Sequence, residues 1–182
     1  MYLPQCRSEE PPEASVACMR STRSAGALLY RRHGGMLEVL LVHPGGPYWA
    51  HQDGGAWSIP KGEYAPDEDP LAAAQREFTE ETGFLVSGPF IPLTPVRQAS
   101  GKVLFAWAAA GDLDPTHIHS NSFELEWPPR SGTMHEFQEV DRGAWFSISD
   151  ARFKLIAGQR PLLAQLAKLV VVSADAPEGD VR

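Results

Sequence analysis

The stretch from Gly62 to Phe84 constrains this chain more than any other part of its sequence. After an alanine-rich run, it places carboxylates at Glu77, Glu80 and Glu81. Residues three and four positions apart return to the same side of an α-helix. Three carboxylates on one helical face repel each other unless a cation lies among them, and Mg²⁺ and Mn²⁺ prefer carboxylate oxygens. The spacing therefore predicts a helix whose acidic face binds a divalent metal ion and, through it, phosphate.

The residues around the acidic positions predict where this helix begins and ends. Asp69 is a favourable N-cap residue and Pro70 is tolerated at the first helical position. Gly83 can adopt the left-handed conformation that commonly ends a helix. Arg76 and Glu80 are spaced for an i, i+4 ion pair. A second, apolar face is predicted to pack on a sheet and comprises Leu71, Ala74 and Phe78.

The complete stretch resembles the Nudix box, G-x5-E-x7-R-E-U-x-E-E-x-G-U, in which U is a bulky apolar residue. Every fixed position is filled, and both apolar positions hold phenylalanine. The matching residues are Gly62, Glu68, Arg76, Glu77, Phe78, Glu80, Glu81, Gly83 and Phe84. The resemblance implies an α/β protein with the Nudix fold, an α/β/α sandwich with a mixed β-sheet. It also implies metal-dependent hydrolysis of a pyrophosphate bond in a substrate that contains a nucleoside diphosphate.

Roles for single residues follow from the same resemblance. Glu77, Glu80 and Glu81 are expected to bind Mg²⁺, or alternatively Mn²⁺, and a backbone carbonyl near Gly62 is expected to join them. Arg76 is expected to orient Glu77, which serves as metal ligand in some family members and as general base in others. Both residues are therefore predicted to be catalytic.

Two kinds of acidic residue lie outside this metal-binding set. Glu68 is expected to stabilise the loop before the helix rather than to bind the metal. Many Nudix enzymes take a further carboxylate from outside the box, and we favour Glu139, which precedes a predicted strand, with Glu126 as second choice. The candidates considered are Glu124, Glu126, Glu136 and Glu139.

Lys61 directly precedes the box and places an ammonium group beside the acidic face, where it can bind a polyphosphate oxygen. The sequence Trp-x-x-Pro-Lys-Gly at 57–62 is similar to Nudix enzymes that act on dinucleoside polyphosphates, and to diphosphoinositol polyphosphate hydrolases. We therefore predict a dinucleoside polyphosphate substrate, such as diadenosine tetraphosphate. The alternatives are a housecleaning nucleoside triphosphate pyrophosphatase and, in a different class, a non-catalytic nucleotide-sensing domain. The second alternative would be expected to have lost box carboxylates, and this chain retains them.

Further substrate contacts are predicted from residue type and position. Arg97, together with Lys102, is expected to add positive charge across the cleft. Tyr48 is expected to stack on a base, because aromatic rings offer a flat apolar surface to nucleobases. Trp49, Trp107 and Trp127 are the other aromatic candidates, and core packing is the preferred interpretation for Trp107. His117 and His119 are considered as phosphate contacts, although exposed loop histidines usually have no such role.

Composition excludes several other classes of protein. The chain has 182 residues, enough for one domain with a core, and a net charge of −7, which disfavours binding to nucleic acid or anionic membranes. Its two cysteines, Cys6 and Cys18, precede the predicted core, so neither a disulfide framework nor a zinc site is expected. No apolar run is long enough for a membrane span, and we expect a cytoplasmic location. The family resemblance leaves open a homodimer.

The remaining pattern predicts one domain at 21–172, between a flexible tail at 1–20 and a short tail at 173–182. Met19, at the edge of the first tail, is an alternative start to Met1. The predicted elements are a hairpin of strands 24–31 and 37–43, an irregular edge strand at 86–96, strands at 102–110 and 144–148, a long loop at 111–138, and helices at 149–157 and 161–172.

Overall fold

The computed structural model describes residues 23–174 of the chain. The tail predicted at 1–20, the alternative start at Met19 and both cysteines lie outside this range, as do residues 175–182. Within it, no helix combines the length and the apolar character that crossing a membrane requires.

Most of the described strands belong to one mixed sheet. Its core order is β4-β6-β1-β2-β9, with β3 paired to β1 and β5 paired to β6. Strands β1 and β6 run parallel, whereas the other pairs in this sheet are antiparallel. Strands β7 and β8 form a separate antiparallel hairpin. The strands are β1 (Arg23–His33), β2 (Met36–Pro44), β3 (Lys61–Glu63), β4 (Phe90–Pro92), β5 (Val96–Arg97), β6 (Val103–Ala110), β7 (Ser122–Glu126), β8 (Met134–Gln138) and β9 (Val140–Ser147).

The helix that carries the box has the predicted ends. Helix α1 spans Pro70–Thr82, and the Asp69 side chain caps it by accepting a hydrogen bond from the backbone N–H of Ala72 at 2.9 Å. Gly83 ends the helix with φ 77°, in the left-handed region. The other helices are α2 (Ile148–Lys154) and α3 (Arg160–Ala174), with 3₁₀ turns at Pro115–His117 and Ala157–Gln159.

The helices cover both faces of the sheet, because alternate residues of each strand point to opposite sides. In β1, Ala27 and Leu29 are buried with Phe78 of α1, whereas Leu28 is buried on the opposite face with residues of α2 and α3. Leu162 of α3 belongs to that second cluster. The predicted α/β/α sandwich with a mixed sheet is confirmed.

Several sequence-based boundaries differ from the structure, and the edge strand predicted at 86–96 is present only as the short strands β4 and β5. The long loop predicted at 111–138 is wrong, since it contains a 3₁₀ turn and the β7–β8 hairpin, whose short strands are separated by a segment with two prolines. The helix predicted at 149–157 begins at Ile148, because Ser147 caps it, and it ends at Lys154. The strand predicted at 144–148 begins earlier, at Val140, where it pairs with the end of β2.

Candidate active site

A cleft of about 570 Å³ lies between the acidic face of α1 and the β7–β8 hairpin. Most of the residues predicted for metal and substrate binding meet there, although they come from distant parts of the sequence. Its lining residues are Pro44, Gly45, Trp49, Lys61, Gly62, Glu63, Glu77, Glu80, Glu81, Asn121, Phe123 and Glu139.

The packing of α1 explains why its carboxylates face this cleft. Ala73, Ala74 and Phe78 are fully buried against the sheet. Glu77 and Glu81 lie one helical turn further along the same side of α1, so their carboxylates point along the sheet into the cleft, whereas Glu80 lies at the edge of this side. The Glu77 and Glu81 side chains are only 12% and 13% exposed to solvent, whereas the Glu80 side chain is 37% exposed. Two of the three carboxylates are therefore largely withdrawn from water at the base of the cleft.

Arg76 joins the box carboxylates beside the cleft. Its Nη1 donates to Glu77 Oε1 at 2.7 Å and to Glu80 Oε2 at 3.1 Å, and its Nε donates to Glu68 Oε1 at 3.0 Å. Nη2 reaches the second oxygen of Glu68 and the carbonyl of Glu63, both at 3.3 Å. The predicted pair with Glu80 is present, and the contact with Glu68 fits the structural role expected for that residue.

These contacts and burial shift the pKa values of the network in opposite directions. Hydrogen bonds from Arg76 hold the pKa of Glu68 below its ordinary value, and the bond with Glu68 is the main factor that raises the pKa of Arg76. Burial raises the pKa of Glu77, an effect that its bonds with Arg76 partly offset. Arg76 therefore holds Glu77 in a fixed position without removing the cost of burying its charge.

Glu81 is the most strongly perturbed acid of the site. Burial raises its pKa to about 7, and the charges of Glu77 and Glu139 add to the shift. The backbone N–H of Lys61 donates to Glu81 Oε2 at 3.1 Å, and the Lys61 ammonium lies 4.0 Å from Oε1, which partly counters the effect. The charges of Glu77 and Glu139 are thus close enough to disfavour ionisation of Glu81, and Lys61 is the only cation that lines this cleft among residues 23–174.

Gly62 allows the Glu77 carboxylate to lie directly against the backbone of β3. A Cβ atom added at Gly62 would overlap that carboxylate. The box glycine is therefore required here for close approach, which places the Gly62 backbone beside the Glu77 carboxylate.

A series of backbone hydrogen bonds fixes the opposite wall relative to α1. The N–H of Asn121 donates to the Glu80 carbonyl at 3.1 Å, and the N–H of Glu139 donates to the Asn121 carbonyl at 2.9 Å. The N–H of Gly45 then donates to the Glu139 carbonyl, also at 2.9 Å. A Cβ at Gly45 would overlap the carbonyl oxygen of Gln138, so this junction requires glycine. Glu139 is consequently held beside the cleft between the hairpin and the loop that follows β2.

The other candidate bases lie elsewhere. Glu126 accepts a hydrogen bond from the N–H of Gly132 at 2.7 Å within the hairpin, and Glu136 pairs with Ser122. Glu124 does not line the cleft in the described part of the chain. Of the four acids considered, Glu139 is the one that the structure brings to the box carboxylates.

Among residues 23–174, the lining of the cleft does not include two residues that were predicted to bind substrate. Tyr48 packs edge-on against Trp127, with ring centroids 5.2 Å apart, and its neighbour Trp49 lines the cleft instead. Arg97 lies on β5, where its Nη1 donates to the carbonyl of Gly101 at 3.0 Å. Which of two adjacent loop aromatics faces a cleft depends on the loop backbone, which their sequence does not reveal.

The remaining candidates have structural partners. Lys102 pairs with Glu63, so its ammonium lies beside the rim of the acidic face. Trp107 packs on the cluster around Tyr64, as the core interpretation predicted. His119 packs over Gly83, and His117 lies 3.2 Å from Asp114 on an exposed turn.

Sequence reasoning missed Asn121, Phe123 and His43. Asn121 carried no recognisable signal, and the alternation of Phe123 and Leu125 with polar residues is a strand pattern of only five residues, too short to predict the hairpin. His43 is the penultimate residue of the apolar strand β2 and is fully buried, with Nδ1 2.9 Å from Asp141 Oδ1 and Nε2 2.7 Å from the Gln52 carbonyl oxygen. It connects the loop that carries Trp49 to the start of β9.

The donor chemistry of the cleft suits a hard divalent cation. Glu77 and Glu81 are largely buried, Glu139 lies exposed beside them, and a cation among their oxygens would relieve the repulsion of their charges. Within residues 23–174, no three His, Cys, Asp or Glu side chains already converge on a common metal position. Arg76 explains this in part, because it bonds both Glu77 and Glu80.

Comparisons with known proteins agree with this geometry. The sequence model of the NUDIX domain family matches residues 20–166. No curated protein matches the chain. Among solved structures, the Ap4A hydrolase of C. elegans has a TM-score of 0.55 at 23% identity and covers 82% of this chain and 98% of its own.

Two further structures are similar over most of their length. RenU, a Nudix hydrolase from M. smegmatis, has a TM-score of 0.52 at 25% identity and covers 84% of this chain and 87% of its own. The NUDIX domain of Shewanella oneidensis NrtR, solved with ADP ribose, has a TM-score of 0.55 at 18% identity and covers 82% of this chain and 88% of its own.

Proposed function

Because the chain belongs to the NUDIX domain family and is a pyrophosphohydrolase, we propose that it cleaves a dinucleoside polyphosphate such as diadenosine tetraphosphate, with Mg²⁺ as the metal. The predicted family is confirmed by the match over 20–166. Hydrolases of this family are generally dependent on a divalent metal ion.

One observation carries the choice of substrate. The cleft combines an acidic wall of α1, the cation Lys61, and aromatic side chains at Trp49 and Phe123. An acidic wall needs a bound cation before it can accept phosphates, and aromatic rings offer stacking surfaces for a base. A ligand that presents both a polyphosphate chain and a flat base matches this arrangement.

The comparisons support the same choice. One structure of similar fold is an Ap4A hydrolase, and another was solved with ADP ribose, which also joins a nucleoside to a pyrophosphate. At these identities the likeness concerns the fold, so the substrate of this chain depends on its own cleft.

In the proposed reaction, a water molecule attacks a phosphorus atom of the polyphosphate chain. Glu77, Glu80 and Glu81 would hold the divalent ion, which would neutralise phosphate charge and lower the pKa of the attacking water. Glu139 accepts the proton as the new P–O bond forms, and the bridging P–O bond breaks, so the leaving phosphate carries the bridging oxygen. Glu139 then returns the proton to solvent.

The other residues of the site bind the phosphate chain or hold the carboxylates in place. Lys61 binds phosphate oxygens, since its ammonium is the cation of the cleft wall. Arg76 keeps Glu77 and Glu80 in place through the hydrogen bonds described above. Burial of Glu77 and Glu81 increases the strength of every charge interaction in the site.

A substrate panel tests this proposal. The purified protein is incubated with Mg²⁺ and either dinucleoside polyphosphates or nucleoside triphosphates, and the products are separated by chromatography. We expect the highest kcat/KM for a dinucleoside polyphosphate. Rapid cleavage of triphosphates without turnover of dinucleotides would instead assign the chain to the triphosphate pyrophosphatases.

A further inference from the structure

We propose that Gln159 is a positioning residue for the reaction, because it fixes the segment 59–62 and thereby the place of the Lys61 ammonium in the cleft. This role rests on the proposed function, in which Lys61 binds phosphate. Gln159 ends the 3₁₀ turn before α3 and is fully buried on the far side of the sheet from α1. It reaches a backbone segment that lies a hundred residues earlier in the chain.

The backbone changes its strand partner at Ile59. The preceding residue, Ser58, exchanges two hydrogen bonds with β2, at 2.9 and 3.0 Å. The carbonyl of the following residue, Pro60, accepts from β1 at 3.1 Å, and β3 then continues along β1. Between these two strands a side chain takes the N–H of Ile59, since Gln159 Oε1 accepts its hydrogen bond at 2.9 Å.

The amide group of Gln159 is satisfied on one side only. Its Nε2 is buried and has no hydrogen-bond partner within residues 23–174. A buried donor without a partner costs free energy, so an apolar side chain would suit this position better if filling the core were its only role. The carbonyl oxygen explains the glutamine, because the buried N–H of Ile59 would otherwise lose its acceptor.

The position of Ile59 determines where the phosphate-binding lysine lies. Pro60 separates the two residues and restricts rotation of the backbone between them. A Cβ added at Gly26 of β1 would lie 2.6 Å from Lys61 Cβ, so β1 packs directly against this segment. The N–H of Lys61 donates to Glu81 Oε2 at 3.1 Å. The segment is thus held at both ends, and releasing it at Ile59 is expected to displace Lys61 from the acidic face.

Gln165, on α3, provides a matched control. Its Oε1 accepts from the backbone N–H of Thr94 at 2.6 Å, which is the same kind of contact as that between Gln159 and Ile59. Thr94 does not belong to the cleft lining in the part of the chain that the structure describes. Gln165→Met therefore removes a structural hydrogen bond from the same helical region without disturbing the segment that carries Lys61.

Binding of methylenediphosphonate, a pyrophosphate analogue whose CH₂ bridge resists hydrolysis, is measured by calorimetric titration with Mg²⁺. Gln159→Met should raise its Kd by at least about fivefold, and Gln165→Met should leave it within about twofold of the parent. In a Lys61→Ala background, Gln159→Met should change Kd by less than about twofold, because the side chain that it positions is then absent. A merely structural role would give additive effects instead.

Several results would overturn the positioning role. They are an unchanged Kd in Gln159→Met, equal effects of the two methionine variants, and an equal effect of Gln159→Met in both backgrounds. A parent that does not bind the analogue, or an unchanged Kd in Lys61→Ala, would also overturn it, since Lys61 would then not bind phosphate.

The substrate panel can fail independently of this test. Dinucleoside polyphosphates and nucleoside triphosphates share the phosphate chain that the analogue represents, so preference for triphosphates would leave the role of Gln159 intact. Thermal unfolding verifies that each variant is folded. Gln159→Leu, which removes the same acceptor with a different apolar shape, replaces Gln159→Met if the methionine variant does not fold.

Discussion

His43 and Asp141 are joined by a hydrogen bond of 2.9 Å between Nδ1 and Oδ1, across the pair of strands β2 and β9. The register shifts here, because His43 pairs with Arg142 and Pro44 pairs with Val140, which leaves Asp141 as the extra residue of a bulge. The other ring nitrogen of His43 lies 2.7 Å from the carbonyl oxygen of Gln52. A carbonyl oxygen can only accept, so Nε2 of His43 donates the hydrogen bond to Gln52.

The first prediction tests whether His43 stabilises the fold by joining the loop after β2 to the start of β9. His43→Ala removes two hydrogen bonds and leaves a cavity, because the side chain is fully buried. We expect a loss of about 2–4 kcal/mol in the free energy of unfolding, measured with urea. Asp141→Asn is the milder control, since an amide side chain can still hydrogen-bond to the imidazole ring. A His43→Ala variant as stable as the parent would contradict this stabilising role of His43.

Alanine substitutions at Gly62 and at Gly45 are predicted to have different effects on activity and stability. At Gly62 the added methyl group meets the end of the Glu77 side chain, which can move aside, so kcat falls while stability changes little. At Gly45 it meets the backbone carbonyl of Gln138, which cannot move easily, so the melting temperature falls as well. Melting curves and initial rates on both variants check this contrast. Equal stability losses in the two would be inconsistent with it.

The sequence predicted the parts of the structure that depend on local patterns. The ends of α1 follow from Asp69 and Gly83, because capping is decided within one helical turn. Glu139 was favoured over its neighbours and lies at the cleft. By contrast, the choice between Tyr48 and Trp49 depends on contacts with a hairpin that lies more than seventy residues further along the chain.

The hairpin itself was missed for a physical reason. Its strands, Ser122–Glu126 and Met134–Gln138, are short, and the turn between them contains adjacent prolines. Such strands gain their stability from cross-strand partners and from the loop they cover, neither of which is a local property. Arg97 was misplaced similarly, since the pairing of β5 with β6 determines where its side chain lies.

Arg76→Lys tests whether geometry or charge matters in the box network. Arginine bonds Glu68, Glu77 and Glu80 at once, and a single ammonium group cannot reproduce that set. We expect kcat to fall by about 10–100-fold, as for other changes to residues that orient metal ligands. Arg152→Lys, an exposed change on α2, should leave kcat unaffected. Full activity in Arg76→Lys would show that charge alone suffices.

Asp53 gives the protein a pH-dependent contribution to stability away from the cleft. A hydrogen bond from Lys154, and then one from Trp57, lowers the pKa of Asp53 below its ordinary value of 3.8. Its ionised form therefore stabilises the fold at pH values above about 3.8, and this contribution is lost as the pH falls through the lower, folded-state pKa. Asp53→Asn should have a lower melting temperature than the parent at neutral pH, and this difference in melting temperature should disappear in strong acid. A difference in melting temperature that persists in strong acid would rule out an electrostatic origin of the stabilisation.

The most direct measurement for the central claim is a Mg²⁺ titration of diadenosine tetraphosphate hydrolysis by the parent and by Glu81→Gln. Glu81 is buried among the carboxylates proposed to hold the metal, and Glu124→Gln, outside the cleft, serves as the matched control. We predict no turnover by the parent without a divalent ion, and a loss of at least about tenfold in metal affinity or rate for Glu81→Gln. Turnover by the parent after complete removal of divalent ions, or an unchanged Mg²⁺ dependence in Glu81→Gln, would contradict the account.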